Sequence, residues 1–396
     1  MLFPWLWAAN KGVIMVEYNK SVIWGSPKHW RTTAPVGSHG YARQFIDHGW
    51  QVLFISSPIL PYLWGADAKL YTERLAINKA GGRWEENGKL WEYVPWSLVP
   101  SKQVPNWWLQ LSFGNLAKSL NKASIQLEPS IVWIDNPEFG ELFTRYPLAK
   151  HVLRIADRNQ DLKGFNQQLL RQQRKLARLA DLVVVTSYSL EREWGGMGIK
   201  QLLRVPNGVD LEKFQSLAAL LPVDMEGIPR PIAIFIGMID HWFDVNLLAS
   251  VAERLPEISF VIIGRAGIDI DQLRRKKNIY ILGEKSPHLV PAYLQYADVG
   301  LIPFEQSQFS DAINPVKYYE YTASGLPVVA TDTLEFRQLG APVLLATNAE
   351  EFARQILVGL RGGAVQKENL KQQARAMSWG SRWQIIMNKL YPDSIL

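Results

Sequence analysis

The sequence predicts an α/β protein made of two Rossmann-like domains. Short β-branched and aromatic runs alternate with helical patterns along the chain, as is typical of parallel sheets built from βαβ units. The length of 396 residues suits two domains, because one domain usually contains about 100 to 200 residues. Residues that break regular structure cluster within 216–231, namely Pro222, Gly227, Pro229 and Pro231. We therefore expect an interdomain linker there.

Two series of apolar runs predict the strands. The first series lies at 21–24, 52–56, 131–134, 152–155, 182–186 and 203–205. The second lies at 232–236, 259–263, 279–282, 299–302, 327–331 and 343–345. An aromatic and proline-rich segment, 58–108, interrupts the first series and contains a further strand at 90–94. We expect domains at 1–215, with 1–20 as an extension, and at 232–377.

The end of the chain, 378–396, predicts an amphipathic helix with Trp383, Ile386 and Leu390 on one face. No run reaches the roughly 18 consecutive apolar residues that span a bilayer. Residues 1–10 are apolar but lack the basic leader of a signal peptide. We expect a protein that does not cross a membrane.

The charge and the cysteine content of the chain limit the kinds of partner it binds and the cellular compartment that suits it. A formal net charge of +6 favours anionic partners such as sugar nucleotides, nucleic acid or acidic membranes. Because the chain has no cysteine, disulfides and thiolate metal sites are excluded, and a reducing compartment such as the cytoplasm is indicated. Nucleic acid is the less favoured partner, since the basic residues are dispersed and no binding module is found.

The most informative segment is 302–332. We expect Asn314 to cap a helix whose first residue is Pro315, so that free N–H groups at the helix start can bind a diphosphate. Lys317 in the first turn opposes the helix dipole and therefore indicates an anion nearby. Glu320, one turn after Val316, suits the hydroxyls of a ribose. The alternative is an ordinary capped helix with both charges in solvent.

This segment, with NPVKYYEYTASGLPVVAT at its centre, resembles the donor-binding region of GT-B glycosyltransferases. PNGVD at 206–210 is similar to the turn before the linker in these enzymes, and the final helix is similar to the one that crosses back to their first domain. The resemblance covers the chain from about residue 20. It implies two domains facing each other across a cleft, with a nucleotide sugar, expected to be a UDP-sugar, on the C-terminal domain.

The same resemblance bears on mechanism. The large retaining family has a glutamate, seven residues and a second glutamate; Glu320 fits the second, whereas Ala312 stands at the first. GSPKHWRTTAPVGSHGYARQF and VLRIADRNQD resemble segments of the GumK-type inverting glucuronosyltransferases of bacterial exopolysaccharide synthesis. This likeness implies that Asp157 is the general base. A helix cap is the alternative role for Asp157, and Asp135 in VWID is the competing base.

Two arginines close to Asp157 in sequence, Arg154 and Arg158, are expected to keep it ionised. Gly237 and Met238, which follow the strand at 232–236, are expected to bring backbone close to the donor phosphates. The residues that the resemblance places at nucleotide-binding positions are Phe304, Val316, Lys317 and Glu320. Phe304 replaces a tyrosine and Glu320 a glutamine of the GumK type, so the resemblance does not fix the donor sugar.

The loop after the first strand lies at the cleft mouth in this fold. There His29, Trp30 and Arg31 are expected to contact the acceptor or a donor phosphate, although a histidine is more often structural. No metal or other cofactor is expected, because the six histidines show no ligand spacing. The pair Asp269 and Asp271 is instead expected to start a helix.

The resemblance therefore implies a bacterial enzyme that transfers a sugar, with inversion, to a hydroxyl of a glycolipid or polysaccharide precursor. A retaining enzyme of the same fold and a non-catalytic sugar-nucleotide-binding protein are the alternatives. Tryptophans in 58–108, namely Trp64, Trp84, Trp91, Trp96, Trp107 and Trp108, suit attachment to an anionic membrane on its cytoplasmic face. So does a basic stripe, Arg171, Arg174, Lys175 and Arg178. Core tryptophans and a solvated helix face are the alternatives.

Overall fold

The computed structural model of the chain describes residues 20–32, 35, 37–61, 68–98, 116–123, 128–158, 167–216, 220–340 and 342–392. These residues form two β-sheets, an eight-stranded one from the first half of the chain and a six-stranded one from the second half. Helices connect successive strands in both, except at one edge of the first sheet, where the short turn Glu86–Gly88 joins two antiparallel strands. The two Rossmann-like units that the sequence predicts are thus confirmed.

The strands of the first sheet are β1 Ser21–Ser26, β2 Gln51–Ser56, β3 Arg83–Glu85, β4 Leu90–Tyr93, β5 Ile131–Ile134, β6 Lys150–Ile155, β7 Leu182–Val185 and β8 Leu202–Arg204. Their order in the sheet is β3-β4-β2-β1-β5-β6-β7-β8. All neighbours pair in parallel except β3 and β4, which are antiparallel. Among these strands only β3 was not predicted; it is a short edge strand that carries charged residues.

The second sheet is wholly parallel, with the order β11-β10-β9-β12-β13-β14. Its strands match the predicted runs within one or two residues, because strands buried on both faces are almost continuously apolar. They are β9 Ile232–Ile236, β10 Ser259–Ile263, β11 Ile279–Gly283, β12 Val299–Ile302, β13 Val328–Thr331 and β14 Val343–Ala346.

The α-helices of the first half are α1 Gly37–Asp47, α2 Ala68–Ala80, α3 Leu116–Ala123, α4 Glu141–Arg145, α5 Gln167–Leu179 and α6 Tyr188–Trp194. Those of the second half are α7 Leu211–Gln215, α8 Val245–Arg254, α9 Asp271–Arg274, α10 Val290–Gln295, α11 Val316–Ala323, α12 Leu334–Leu339, α13 Ala349–Leu360, α14 Gly363–Ala374 and α15 Trp379–Leu390. Within the described part of the chain, no helix is long and apolar enough to cross a membrane.

The last helix, α15, packs on the first sheet although it follows the second one. Trp383, Ile386, Met387 and Leu390 are buried in the same core as the strand residue Trp133. This confirms the predicted amphipathic helix and its apolar face. The core on one side of the first sheet is therefore completed by the end of the chain.

The chain passes between the two domains twice, once near Val209 and once near Trp379, and these two crossings lie side by side. The backbone N–H of Val209 donates to Met377 O at 3.1 Å, and the N–H of Trp379 donates to Val209 O at 3.1 Å. The indole of Trp379 sits between two glycines: a Cβ on Gly40 would lie 2.5 Å from its ring and a Cβ on Gly208 2.9 Å. Small residues are thus required where the crossings meet α1.

The residues after the first crossing pack with the second domain. Val209 and Phe214 belong to the core around β9 and β12, as does Met225 of the segment expected to be the linker. The domain limits at 215 and 232 stay a prediction, and this packing favours a first domain that ends nearer 205.

Candidate functional site

A cleft of about 730 Å³ lies between the two sheets. From the first domain it is lined by residues that follow β1, β5 and β6, and from the second by residues that follow β9 and β12. Ligands of open α/β sheets gather at the carboxyl ends of strands. The cleft is therefore placed where both domains present the ends of their strands to one ligand.

The helix that faces the cleft, α11, begins at Val316 rather than at Pro315. Pro315 is the N-cap, in an extended conformation, and no side chain caps the helix. The prediction that Asn314 is the cap was wrong, because its amide is used in bonds to other parts of the chain, described below. The first N–H groups of α11 are consequently left for a ligand in the cleft.

Lys317 crosses the floor of the cleft against Gly237. A Cβ on Gly237 would lie 2.1 Å from Lys317 Cε and 2.6 Å from Nζ, and Gly237 has φ of +154°. Only glycine leaves room for the lysine here. The Lys317 ammonium lies 5.5 Å from the centroid of the Phe235 ring. Burial lowers the pKa of Lys317, opposed by the charge of Glu320, so an anion in the cleft would stabilise its charged form.

The other predicted donor residues are divided between the cleft and its surroundings. Val316, Glu320 and Phe304 line the cleft. Burial raises the pKa of Glu320, opposed by the charges of Lys213 and Lys317. Phe304 is 3% exposed and pairs with Phe243 by a strand bridge. Met238 is 45% exposed and does not line the cleft.

Asp157 approaches the same cleft from the first domain, just after β6. It is half-buried. Burial raises the pKa of Asp157, and the charge of Arg154 opposes that shift. Arg158 does not assist, because it pairs with Glu193 at 3.1 Å and donates to Gln308 at 3.2 Å. Of the two arginines expected to help keep Asp157 ionised, Arg154 does lower its pKa, but burial raises that pKa by more.

Comparison with known proteins supports this architecture. Residues 230–361 match the family model described as "Glycosyl transferases group 1". The chain is 25% identical over 298 residues, 69% of its length and 74% of the relative's, to TuaH of Bacillus subtilis (strain 168), named as a candidate teichuronic acid biosynthesis glycosyltransferase. It is 27% identical over 163 residues to phosphatidyl-myo-inositol mannosyltransferase of Mycobacterium tuberculosis (strain ATCC 25618 / H37Rv), covering 38% of this chain and 40% of that protein.

Among solved structures, HepE of Anabaena in complex with UDP-glucose superposes with a TM-score of 0.62 at 16% identity, over 94% of this chain and 99% of that one. The chain is thus a glycosyltransferase with the GT-B fold. These similarities do not distinguish the GumK-type subtype from others of the same fold, so that subtype stays a hypothesis about the glycosyltransferase.

The competing base, Asp135, is held in place by its surroundings. Its Oδ2 accepts from Trp24 Nε1 at 3.0 Å and from the Ser38 hydroxyl, and its Oδ1 accepts from Trp133 Nε1 at 3.0 Å. Arg154 lies 3.9 Å away, and the side chain is 5% exposed. Because these donors occupy both oxygens, the geometry favours Asp157 over Asp135 as the group that takes a proton.

The loop after β1 reaches the cleft with other residues than those predicted. Pro27 and Lys28 line the cleft, whereas Trp30 and Arg31 line an adjoining cavity of about 710 Å³. His29 lines neither. Trp30 is 8% exposed, and its backbone N–H donates to Glu92 at 2.9 Å.

The chemistry of this loop also differs from the prediction. Burial, with the nearby charge of Arg74, lowers the pKa of His29 to about 4. The ring is therefore neutral at pH 7 and offers no positive charge to a phosphate. Arg31 is engaged by Glu85 at 2.8 Å. The cationic residue that this loop brings to the glycosyltransferase cleft is Lys28, whose pKa burial lowers.

Sequence reasoning also missed an aromatic wall of the cleft. Trp242 and Phe309 both line it, with ring centroids 5.8 Å apart. Trp242 lies in the loop after β9, five residues beyond Gly237, and Phe309 lies in the loop after β12. Indole and phenyl faces suit the apolar face of a sugar ring. An aromatic residue in each of two loops that follow neighbouring strands was the available signal.

Proposed function

We propose that this glycosyltransferase moves a sugar from a nucleoside diphosphate sugar to an acceptor hydroxyl with inversion at the anomeric carbon. The observation that carries the proposal is that Asp157 of one domain and Lys317 of the other line the same cleft. One supplies a base with a raised pKa, and the other supplies a cation beside an uncapped helix start. A displacement needs a base that takes the acceptor proton and a positive charge that stabilises the leaving diphosphate.

The step would run as a single displacement. The acceptor oxygen forms a bond to C1 of the donor sugar as the bond from C1 to the diphosphate oxygen breaks. Asp157 takes the hydroxyl proton, as a general base within hydrogen-bond reach does. The diphosphate leaves with both electrons of the broken bond, and its charge is balanced by the N–H groups of α11 and by Lys317.

A retaining mechanism is the second candidate, and it rests on Glu320. Glu320 occupies the second glutamate position of the retaining pattern, while Ala312 at the first is 1% exposed and has no charge to offer. The anomeric configuration of the product, read by proton NMR, separates the two. A product with the donor's configuration would overturn inversion and remove the need for a base at Asp157.

The donor class is tested by thermal shift. A ligand that binds only the folded state adds about 2.7 kcal/mol at a concentration of 100 Kd, which raises the melting temperature measurably. We expect UDP-glucose to act more strongly than GDP-glucose or dTDP-glucose, in line with the UDP-glucose bound to HepE. No shift with any of the three would contradict a nucleotide-sugar site.

The acceptor is proposed to be a hydroxyl of a glycolipid or polysaccharide precursor, reached at the inner face of the plasma membrane. The exposed face of α5 supports this, since Arg171, Arg174, Lys175 and Arg178 are all exposed. Trp84 and Trp96 are 38% and 40% exposed. Trp91 is a core residue bonded to Ser119. The other predicted membrane tryptophans, Trp64, Trp107 and Trp108, lie outside the described residues.

Flotation with vesicles containing phosphatidylglycerol tests this attachment. We expect binding that weakens with salt, because basic side chains near an acidic surface are screened. The double charge-reversal variant with Arg171→Glu and Arg174→Glu should no longer bind the vesicles. Reversing Arg275→Glu and Arg361→Glu, two exposed arginines of the second domain, is the matched control and should not. Equal loss in both pairs, or no binding at low salt, would refute attachment through α5.

A further inference from the structure

A buried polar cluster joins the two domains at the wall of the cleft, formed by Arg154, Asn207, Asn314 and Glu335, which we call the interdomain hub. These side chains are 3%, 7%, 3% and 0% exposed. Arg154, Asn207 and Asn314 also line the cleft. Arg154 comes from β6, Asn207 from the crossing after β8, and Asn314 from the turn before α11. The hub thus connects the strand that precedes Asp157 with the helix that carries Lys317.

Asn207 uses its whole amide in the hub. Its Oδ1 accepts from Arg154 Nη2 at 2.8 Å, and its Nδ2 donates to Asn314 O at 2.7 Å. Its backbone N–H donates to Asn314 Oδ1 at 2.8 Å. One side chain therefore holds the first domain through Arg154 and the second through Asn314. Buried polar groups paired in this way fix a single arrangement, since any other leaves them without partners.

Asn314 also hydrogen-bonds to α11, the helix that carries Lys317, which we call the donor helix. Its Oδ1 also accepts from Tyr319 Oη at 3.0 Å, one turn into α11, and its Nδ2 donates to Glu335 Oε1 at 2.7 Å. Glu335 accepts in turn from the backbone N–H of Tyr188 in the first domain at 2.8 Å. Asn314 is thus linked to the first domain by two routes, through Asn207 to Arg154 and through Glu335 to Tyr188, which anchors the start of α11.

This geometry bears on the reaction because the two halves of the chemistry sit on different domains. Transfer requires the acceptor oxygen and the donor C1 at roughly 3 to 3.5 Å, and a misplacement of about 1 Å costs around a hundredfold in rate. Arg154 lies three residues before Asp157, and Asn314 three residues before Lys317. A shift at Asn207 would therefore change the separation of base and donor while Asp157 and Lys317 both stay in place.

We propose that Asn207 is a positioning residue that holds Asp157 and the donor helix in register by bridging Arg154 and Asn314. The proposal rests on the function given above, and it adds to it the residue that sets the spacing between the two domains. Asn207 lines the cleft and is 7% exposed, and the role assigned to it is exerted through its bonds to Arg154 and Asn314. The residue acts on turnover through the arrangement of the two domains and leaves the donor contacts of the second domain intact.

The test compares Asn207→Ala with Asn278→Ala. Asn278 is a matched control, because its Nδ2 donates to three backbone carbonyls, of Ala252, Leu255 and Ile258, within the second domain and away from the hub. We expect Asn207→Ala to bind UDP within about threefold of the unmodified protein by calorimetry. We expect its release of UDP from UDP-glucose to fall about tenfold to a hundredfold. Asn278→Ala should fold and should release UDP at the rate of the unmodified protein.

A distance measurement gives a readout that does not depend on turnover. The chain has no cysteine, so spin labels can be placed on Leu148→Cys in the first domain and Val365→Cys in the second, positions that are 89% and 75% exposed. Pulsed electron paramagnetic resonance should show one narrow distance distribution for the unmodified hub and for Asn278→Ala. Asn207→Ala should broaden it.

A double-mutant cycle completes the test. If Asn207 and Asn314 act as one bridge, Asn207→Ala with Asn314→Ala should lose no more rate than the worse single variant. Additive rate losses, or an unchanged distance distribution in Asn207→Ala, would overturn the positioning role. Absence of UDP release from the unmodified protein would refute the proposed function instead, and the distance measurement would still decide the role of the hub.

Discussion

The contact between Gly237 and Lys317 makes donor binding sensitive to a single methyl group. In Gly237→Ala, the new Cβ would lie 2.1 Å from Lys317 Cε, whereas ordinary contact begins at 3.4 Å. The lysine must therefore retreat by about 1.3 Å. At an effective dielectric constant of about 20, an ammonium and a phosphate charge attract by roughly 4 kcal/mol at 4 Å and roughly 3 kcal/mol at 5.3 Å. The difference, about 1 kcal/mol, corresponds to about fivefold weaker binding.

Removal of the charge itself should cost more. Lys317→Ala leaves the diphosphate without its cationic partner, which typically costs about 2 kcal/mol or more, or about 30-fold in affinity. Isothermal calorimetry with UDP measures both variants. Gly237→Ala in a protein that already has Lys317→Ala should cost nothing further in affinity, because the group that the methyl displaces is gone.

Backbone strain needs its own control, since alanine at the φ of Gly237 costs about 1 to 3 kcal/mol of stability. Gly340 ends α12 with φ of +60° and nothing within 4 Å of an added Cβ. Gly340→Ala should therefore lower the melting temperature and leave UDP affinity unchanged. If Gly237→Ala binds UDP as tightly as Gly340→Ala does, or weakens binding equally in the absence of Lys317, the electrostatic reasoning fails.

Three further outcomes are expected. Asp157→Asn should fold and bind UDP but lose on the order of a hundredfold in turnover; a near-normal rate would return attention to Asp135 or to retention. Because burial raises the pKa of Asp157 above its ordinary 3.8 and only the ionised form is a base, the acid limb of the rate profile should lie above that value and vanish in Asp157→Asn. Because Lys317 and the N–H groups of α11 are placed to balance the charge of the leaving diphosphate, we expect excess EDTA to leave turnover unchanged. Inhibition that added Mg²⁺ reverses would contradict this.

The strands and the last helix were predictable because their signals are local. Buried parallel strands such as Ile232–Ile236 are apolar at every position, and α15 repeats its buried residues at helical spacing. β3 was missed because two of its three residues are charged and it pairs at the sheet edge with β4. Local pattern carries little information about a strand whose stability comes from its neighbour.

The site was predictable only where a residue's neighbours in sequence are also its neighbours in space. Lys317 lies in the first turn of its helix as expected. Of the side chains that donate to Asp135, Trp24 and Ser38 lie 111 and 97 residues away. Asn207, which donates to Asn314, lies 107 residues away. No spacing rule reveals such partners. An asparagine before a helix favours a cap by propensity, and tertiary hydrogen bonds outweighed that preference.

The contribution of α15 to the first core bears on how the chain folds during synthesis. Ile386 and Met387 pack in that core with Phe45, and Trp383 lies 5.7 Å from the Phe45 ring, yet they emerge from the ribosome after the whole second domain. During synthesis the first domain therefore keeps one apolar face uncovered until α15 has been made. We therefore expect chaperones that bind apolar surface to bind the nascent first domain. A fragment that ends before Trp379 would keep that face exposed permanently and aggregate.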